Sequence, residues 1–207
     1  MRRAFSALLS IALLAGCAAE SIWAPDDEVA RAAYRHDGPP RLTLFTMISN
    51  SSGQGGHTSL MINSNQRIIF DPAGSFKHET LPERNDVVFG ITPAVADVYT
   101  RYHARETWHV RVQELDVSPQ MAARTSQLVQ NYGAVPSAMC AQSTSTILAQ
   151  VFPGQIKSTW SPVRLAESFA TLPGVSEQLL HEYDSDDNSR VLREWTPSAV
   201  ARQATTE

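Results

Sequence analysis

Three residues of this chain have the types and surroundings of a nucleophilic relay: Cys140, His57 and Asp71. Cys140 follows Ser137-Ala138-Met139 and precedes an apolar face of Ile147, Leu148 and Val151. That pattern predicts a helix over about 137–151, stopped by Pro153-Gly154. A thiol some three residues into a helix sits among unpaired backbone N–H groups at the positive end of the dipole, which favours a thiolate. Cysteine pKa values fall from ~8.5 to roughly 3.5–7.5 in such places, especially beside a histidine. The plainer reading of Cys140 is a small buried hydrophobe, as free cysteine often is.

His57 follows Gly55-Gly56 at the start of a strand expected over 57–62, where the backbone can be approached closely. Taken alone it reads as a polar residue at a strand end. Residues 67–71 read as the returning strand of a hairpin. A two-residue loop, Ser64-Asn65, sets Asp71 opposite Thr58 and on the other face from His57. A three-residue loop, Asn63-Ser64-Asn65, sets Asp71 directly opposite His57. The second register gathers Thr58, Leu60, Ile62, Ile68 and Phe70 on one face and gives Asn65 the left-handed position it tolerates. Asp71 would then orient the imidazole and fix its tautomer. Its other reading is a residue that ends a strand before Pro72.

Export bears on which reading of Cys140 holds. Met1-Arg2-Arg3 is a short basic start, and residues 4–15 are an apolar run broken only by serines. A bilayer-spanning helix needs ~20 apolar residues, so the run has the proportions of a signal-peptide core. It ends in Leu14-Ala15-Gly16-Cys17, which resembles the bacterial lipobox. The resemblance implies cleavage before Cys17, lipidation of its sulfur and acylation of the new amine, with several chains such as palmitate holding the protein on a membrane. Ala18, in place of an aspartate, implies the outer membrane, facing the periplasm. The competing reading is an ordinary signal peptide with a chance cysteine. With Cys17 spent on an anchor, Cys140 is a lone thiol in an oxidising compartment, where its retention asks for a reason.

The elements that must position these groups are legible from local signals. Strands are expected over 41–48, 87–91 and 108–117, the last with an outward polar side. A hydroxyl residue followed by proline marks helix starts at Thr92-Pro93, Ser118-Pro119, Ser161-Pro162 and Thr196-Pro197. Strands cluster early and helices late, which predicts an α+β fold with an antiparallel sheet packed against helices. Residues 1–16 read as a leader and 17–40 as a lipidated tether. A short solvated helix in the tether runs from Asp26-Asp27-Glu28 to Arg31, Arg35 and His36. Residues 41–183 read as the domain, and 184–207 as a polar tail with a solvated acidic run at 184–187.

Charge and spacing exclude several classes. With 17 basic and 21 acidic residues the net charge is −4, and loss of Arg2 and Arg3 lowers it by two to −6. No basic stripe or aromatic RNA-binding motif suggests nucleic acid as a partner. His78, His103 and His109 lie near Glu79, Glu106 and Glu114, but no spacing matches a metal-binding helix motif, so no metal or cofactor is expected. Tyr99 and Tyr102, on the helix expected after Pro93, read either as lining of a substrate cleft or, the favoured reading, as packing residues. One distant cysteine, with no second nearby, makes thiol–disulfide chemistry a poor fit.

The order of these parts resembles the circularly permuted papain-like hydrolases. That group includes permuted NlpC-type cell-wall peptidases, bacterial lipoproteins and lecithin–retinol acyltransferase-like enzymes. The resemblance rests on the Gly-Gly-His-Thr-Ser-Leu-Met-Ile strand at 55–62, a following strand ending in a polar residue, and a cysteine at a helix start further along. It covers residues 41–170 and reverses the usual papain order of cysteine before histidine. It implies a permuted papain-like fold, Cys140 as nucleophile, His57 as base and Asp71 in the third position. Many relatives carry asparagine just before the cysteine, where this chain has Met139. The implied activity runs through an acyl-enzyme released by water or another acceptor: first a peptidase or amidase on peptidoglycan stem peptides, second a lipid acyltransferase or thioesterase. The alternative is a lipoprotein that keeps this shell as a non-catalytic binding module.

Overall fold

The computed structural model describes residue 19 and residues 21–195. Cys17 and Thr196-Pro197 lie outside them. In chain order the elements are α1 (Asp26–Ala32), β1 (Arg41–Ser49), β2 (Gly55–Asn63), β3 (Arg67–Phe70), β4 (Glu83–Arg84), β5 (Val87–Val88), α2 (Pro93–His103), β6 (Trp108–Asp116), α3 (Pro119–Gln130), α4 (Cys140–Val151), α5 (Pro162–Ala170), β7 (Ser176–Leu180) and α6 (Ser189–Glu194). The fold is α+β: one seven-stranded sheet in the order β4-β5-β3-β2-β1-β6-β7, every neighbouring pair antiparallel. None of the described helices is long and apolar enough to cross a membrane.

Three helices start where the hydroxyl-proline signals place them. Thr92, Ser118 and Ser161 each accept a backbone N–H three residues on, with proline at the first helical position of α2, α3 and α5. The predicted start of the Cys140 helix is different. Ala138 takes a left-handed conformation (φ 65°), so the chain cannot turn helical before Met139 and α4 begins at Cys140 itself.

Alternation along the strands builds a core on each face of the sheet. Leu42, Leu44, Leu60, Ile62, Ile68 and Phe70 pack with Ile147, Leu148, Leu165 and Phe169 of the later helices. Phe45, Met47, Met61, Ile69 and Val112 pack on the opposite face with Val95, Tyr99 and Tyr102 of α2. The hairpin register differs from both expected ones. Asn63 pairs with Arg67 and Leu60 with Phe70, leaving Ser64-Asn65-Gln66 as the loop. Asn65 is not among the residues with positive φ. Extending this register sets Asp71 level with Ser59 rather than His57. The slip is two residues, so the face is preserved and the expected core face holds.

Both ends of the described chain are tied down more than their composition suggests. Residues 22–24 continue the sheet edge: Ala24 N–H donates to Glu83 O and Asn85 N–H to Ile22 O, with Trp23 bridged to Arg84. The short helix ends at Ala32, before Arg35 and His36. Further on, Arg67 N–H donates to Tyr34 O, and Asn63 Nδ2 donates to the Gly38 and Pro39 carbonyls. At the other end, Asp184 to Asp187 are all exposed, as expected of the acidic run, but the residues after them are held against the domain. Asp186 accepts from Thr107 N–H, and Val191, Leu192 and Trp195 pack against the second core.

Candidate active site

Cys140 owes its place to where β3 stops. That strand ends at Phe70, so the first residues of β2 have no partner on that side. The first turn of α4 packs against β2, which brings the Cys140 sulfur beside the His57 ring and near the backbone N–H groups of Thr58 and Ala141. Among the described residues no side chain caps α4, leaving its first N–H groups to the thiol and to what binds there. Burial would push the thiol up. The hydrogen bond and charge of His57, with the two backbone donors, outweigh it and hold Cys140 below its ordinary value.

A β-bulge sets the histidine. Met47 pairs with His57 and Ile48 with Gly55, which leaves Gly56 as the extra residue. A Cβ there would lie 2.5 Å from the Trp108 ring, so only glycine lets the indole lie against the strand beside the imidazole. His57 Nε2 stands 2.7 Å from Asp71 Oδ1, with the carboxylate almost wholly buried. This leaves Nδ1 for the thiol. Burial would lower the His57 pKa, but the Asp71 charge and hydrogen bond, aided by Cys140, push it up to about 10. The same pairing, against burial, holds Asp71 below the usual carboxylate range. The shifts act in one direction: Asp71 favours the imidazolium at His57, and the imidazolium favours a thiolate at Cys140.

Sequence reading missed three supports of this row. The buried Tyr99 hydroxyl lies 2.6 Å from Asp71 Oδ1 and 2.6 Å from Ser59 Oγ. It carries one proton and an ionised carboxylate only accepts, so Tyr99 donates to Asp71 and accepts from Ser59. Burial and then the Asp71 charge hold the phenol well above its ordinary value, which keeps that proton in place. Asp86 braces the turn after Asp71: its carboxylate accepts Ala73 N–H (3.1 Å) and Val135 N–H (2.7 Å), and its carbonyl accepts Asp71 N–H. It thus links the carboxylate's turn to the segment that leads into α4. Gly74 is the third, since a Cβ there would overlap the Asp71 carboxylate at 1.8 Å. No local signal marks Tyr99 or Asp86, because each acts across 13 or more residues of sequence.

His103 stacks beside His57, with ring centroids 5.8 Å apart. Its Nδ1–H donates to the Tyr99 carbonyl at 2.8 Å, leaving Nε2 unprotonated. Burial, with the nearby His57 charge, lowers its pKa to about 4, although Asp71 opposes this. Among the described residues, His57, Asp71 and His103 form a group whose ligand atoms lie close enough for a metal. The fit is poor. Two donors about 2.1 Å from a tetrahedral zinc stand roughly 3.4 Å apart, whereas His57 and Asp71 are 2.7 Å apart, a hydrogen-bond spacing.

A cleft of about 260 Å³ opens on the His57 side of the row. Tyr102, His103, Arg105 and Trp108 form its walls, and Asp186 and Asn188 from the C-terminal segment close its far side. The three residues singled out from sequence thus meet at one place, while Cys17 lies outside the described residues. No family model, characterised protein or solved structure matches this chain.

Proposed function

We propose that this chain is a cysteine hydrolase of the bacterial cell envelope, acting through an acyl-enzyme. The observation that carries this reading is the buried row in which Asp71 holds His57 at 2.7 Å and His57 faces Cys140 at a helix start. The Cys140 thiolate attacks a carbonyl, and the tetrahedral oxyanion is met by the backbone N–H of Cys140 at the helix start. His57 gives its Nδ1 proton to the leaving group, and the acyl group stays on sulfur as a thioester. Water then enters, His57 takes its proton, and the hydroxide displaces the thiolate. Asp71 keeps the ring oriented throughout.

The histidine strand precedes the cysteine helix, and an antiparallel sheet carries both, which supports a permuted papain-like arrangement of the fold. Cys17, as a lipidated residue, would hold the enzyme at the outer membrane facing the periplasm, where peptidoglycan stem peptides are at hand.

The test is alkylation of Cys140 by iodoacetamide in the full chain. At pH 6.5, where an ordinary thiol is only ~1 % ionised, the wild type should react roughly tenfold or more faster than His57→Ala. Equal rates would remove the thiolate pair and return the fold to a binding role. Peptidoglycan fragments followed by mass spectrometry, with Cys140→Ser as control, then identify the bond cut.

A further inference from the structure

The cleft beside His57 holds a cation that the hydrolytic chemistry does not use. Arg105 lines it yet is only 5 % exposed. Its backbone is fixed by a tight turn, Arg105 N–H donating to Trp108 O and Trp108 N–H to Arg105 O. Its guanidinium is poorly matched. Nε reaches the Tyr102 carbonyl at 3.4 Å, and Nη1 stands 3.9 Å from Asp184 Oδ2, too far for a hydrogen bond. The Asp184 side chain is 73 % exposed, so water screens that pair. Nη2 is buried and has no hydrogen-bond partner among the described residues. Asp186, the other carboxylate at the cleft, is engaged by Thr107 through both its N–H and its hydroxyl. Burying a charge without full pairing is costly, and a ligand that completes the pairing recovers that cost.

Resting on the hydrolase reading above, we propose that Arg105 binds a carboxylate of the substrate, on the leaving-group side of the scissile amide. The side follows from the geometry: the cleft is lined by His57, the group that protonates the leaving amine, and not by Cys140. A carboxylate suits the site because the planar guanidinium fork offers it two parallel donors. Asp184 beside Nη1 and Asp186 at the cleft both oppose an anion, and they oppose a dianionic phosphate more than a monoanionic carboxylate. A space of about 260 Å³ takes one residue-sized leaving group. The carboxylate is either the α-carboxylate of a C-terminal residue or an acidic side chain next to the cut, and the two are separable by experiment.

The experiment measures protection of Cys140 from iodoacetamide in the full chain, with three small probes. N-acetylalanine carries an α-carboxylate, N-acetylglutamic acid α-amide a side-chain carboxylate, and N-acetylalaninamide none. The expected result is protection by one or both acids at concentrations at least tenfold below those needed for the neutral amide. The acid that protects better identifies the source of the carboxylate. Arg105→Gln should weaken this protection tenfold or more, with Arg105→Lys recovering part of it. Asp184→Asn, an exposed change that removes a competing carboxylate, should tighten it severalfold and serves if the Arg105 variants do not fold. Equal protection by the neutral amide, or acid protection unchanged in Arg105→Gln or, failing that variant, in Asp184→Asn, overturns the proposal. The hydrolase reading fails separately, if Cys140 reacts like a free thiol with or without His57. In that event the Arg105 Nε–H resonance, titrated with the same probes, still decides the binding: a shift with the acids alone supports it, and none overturns it.

Discussion

Asp71 takes donors from two sides, His57 and Tyr99, and the second is what lets a buried carboxylate stay charged beneath a buried imidazolium. A hydrogen bond to a charged group is worth about 1.5–3 kcal/mol, equivalent to roughly one to two pKa units. Tyr99→Phe removes that donor, raises Asp71 and weakens its hold on His57. The His57 imidazolium, whose pKa stands at about 10 in the intact site, should then titrate at least one unit lower, as followed by imidazole NMR. The sign for stability follows. The His57 pKa is raised on folding, so its contribution is fully present below the unfolded value of 6.5 and is lost as pH rises through about 10. In Tyr99→Phe that loss should come at lower pH. The three candidate site residues were legible because thiol, imidazole and carboxylate each sit beside a local marker: a helix start, a Gly-Gly pair, a strand end. Tyr99 was not, because its partner lies 28 residues away and nothing nearby in sequence distinguishes it from a packing aromatic.

Among the elements, the legible ones carry strong local signals. Three Ser/Thr-Pro caps located α2, α3 and α5, β-rich composition located β1, a hairpin signal located β2 and β3, and alternation located β6. Strand β7 was missed because it is an edge strand with four of five residues exposed, which leaves no apolar alternation to read. Helix α6 was missed because its six residues fall in a polar stretch and none is buried. The hairpin shows what pattern can and cannot settle: it specifies which face a residue takes, not how far along the strand it pairs. Asp71 was expected opposite His57 and lies two residues off, yet a diagonal neighbour on one face is still within reach. The turn after β3 makes up the difference, and Gly74 lets it close against the carboxylate. Gly74→Ala should therefore push Asp71 out of line, cost about 1–3 kcal/mol of stability by overpacking, and reduce the Cys140 alkylation advantage tenfold or more. Urea unfolding and the iodoacetamide rate measure the two effects.

At the scale of the whole molecule, the sheet separates two cores and the candidate site bridges them, with the cysteine helix on one face and the histidine side chain directed to the other. The C-terminal segment completes the second core and the cleft together. Trp195 packs edge-on against His78 with ring centroids 4.4 Å apart. Trp195→Ala should cost on the order of 2 kcal/mol, below the 3–5 of a fully buried aromatic. Hydrogen exchange should show amides 189–194 losing protection before the sheet does. The docking of residues 22–24 along the sheet edge has a consequence for the proposed anchor. From Cys17 to Arg41, a free chain of 24 steps could extend to roughly 80 Å. Pinned at Ile22, only five steps are left, or roughly 17 Å. Were Cys17 the anchor and the site catalytic, a body held that close to the lipid surface would work only on the layer of the envelope directly above it, and the edge pairing would set a working radius as well as a fold.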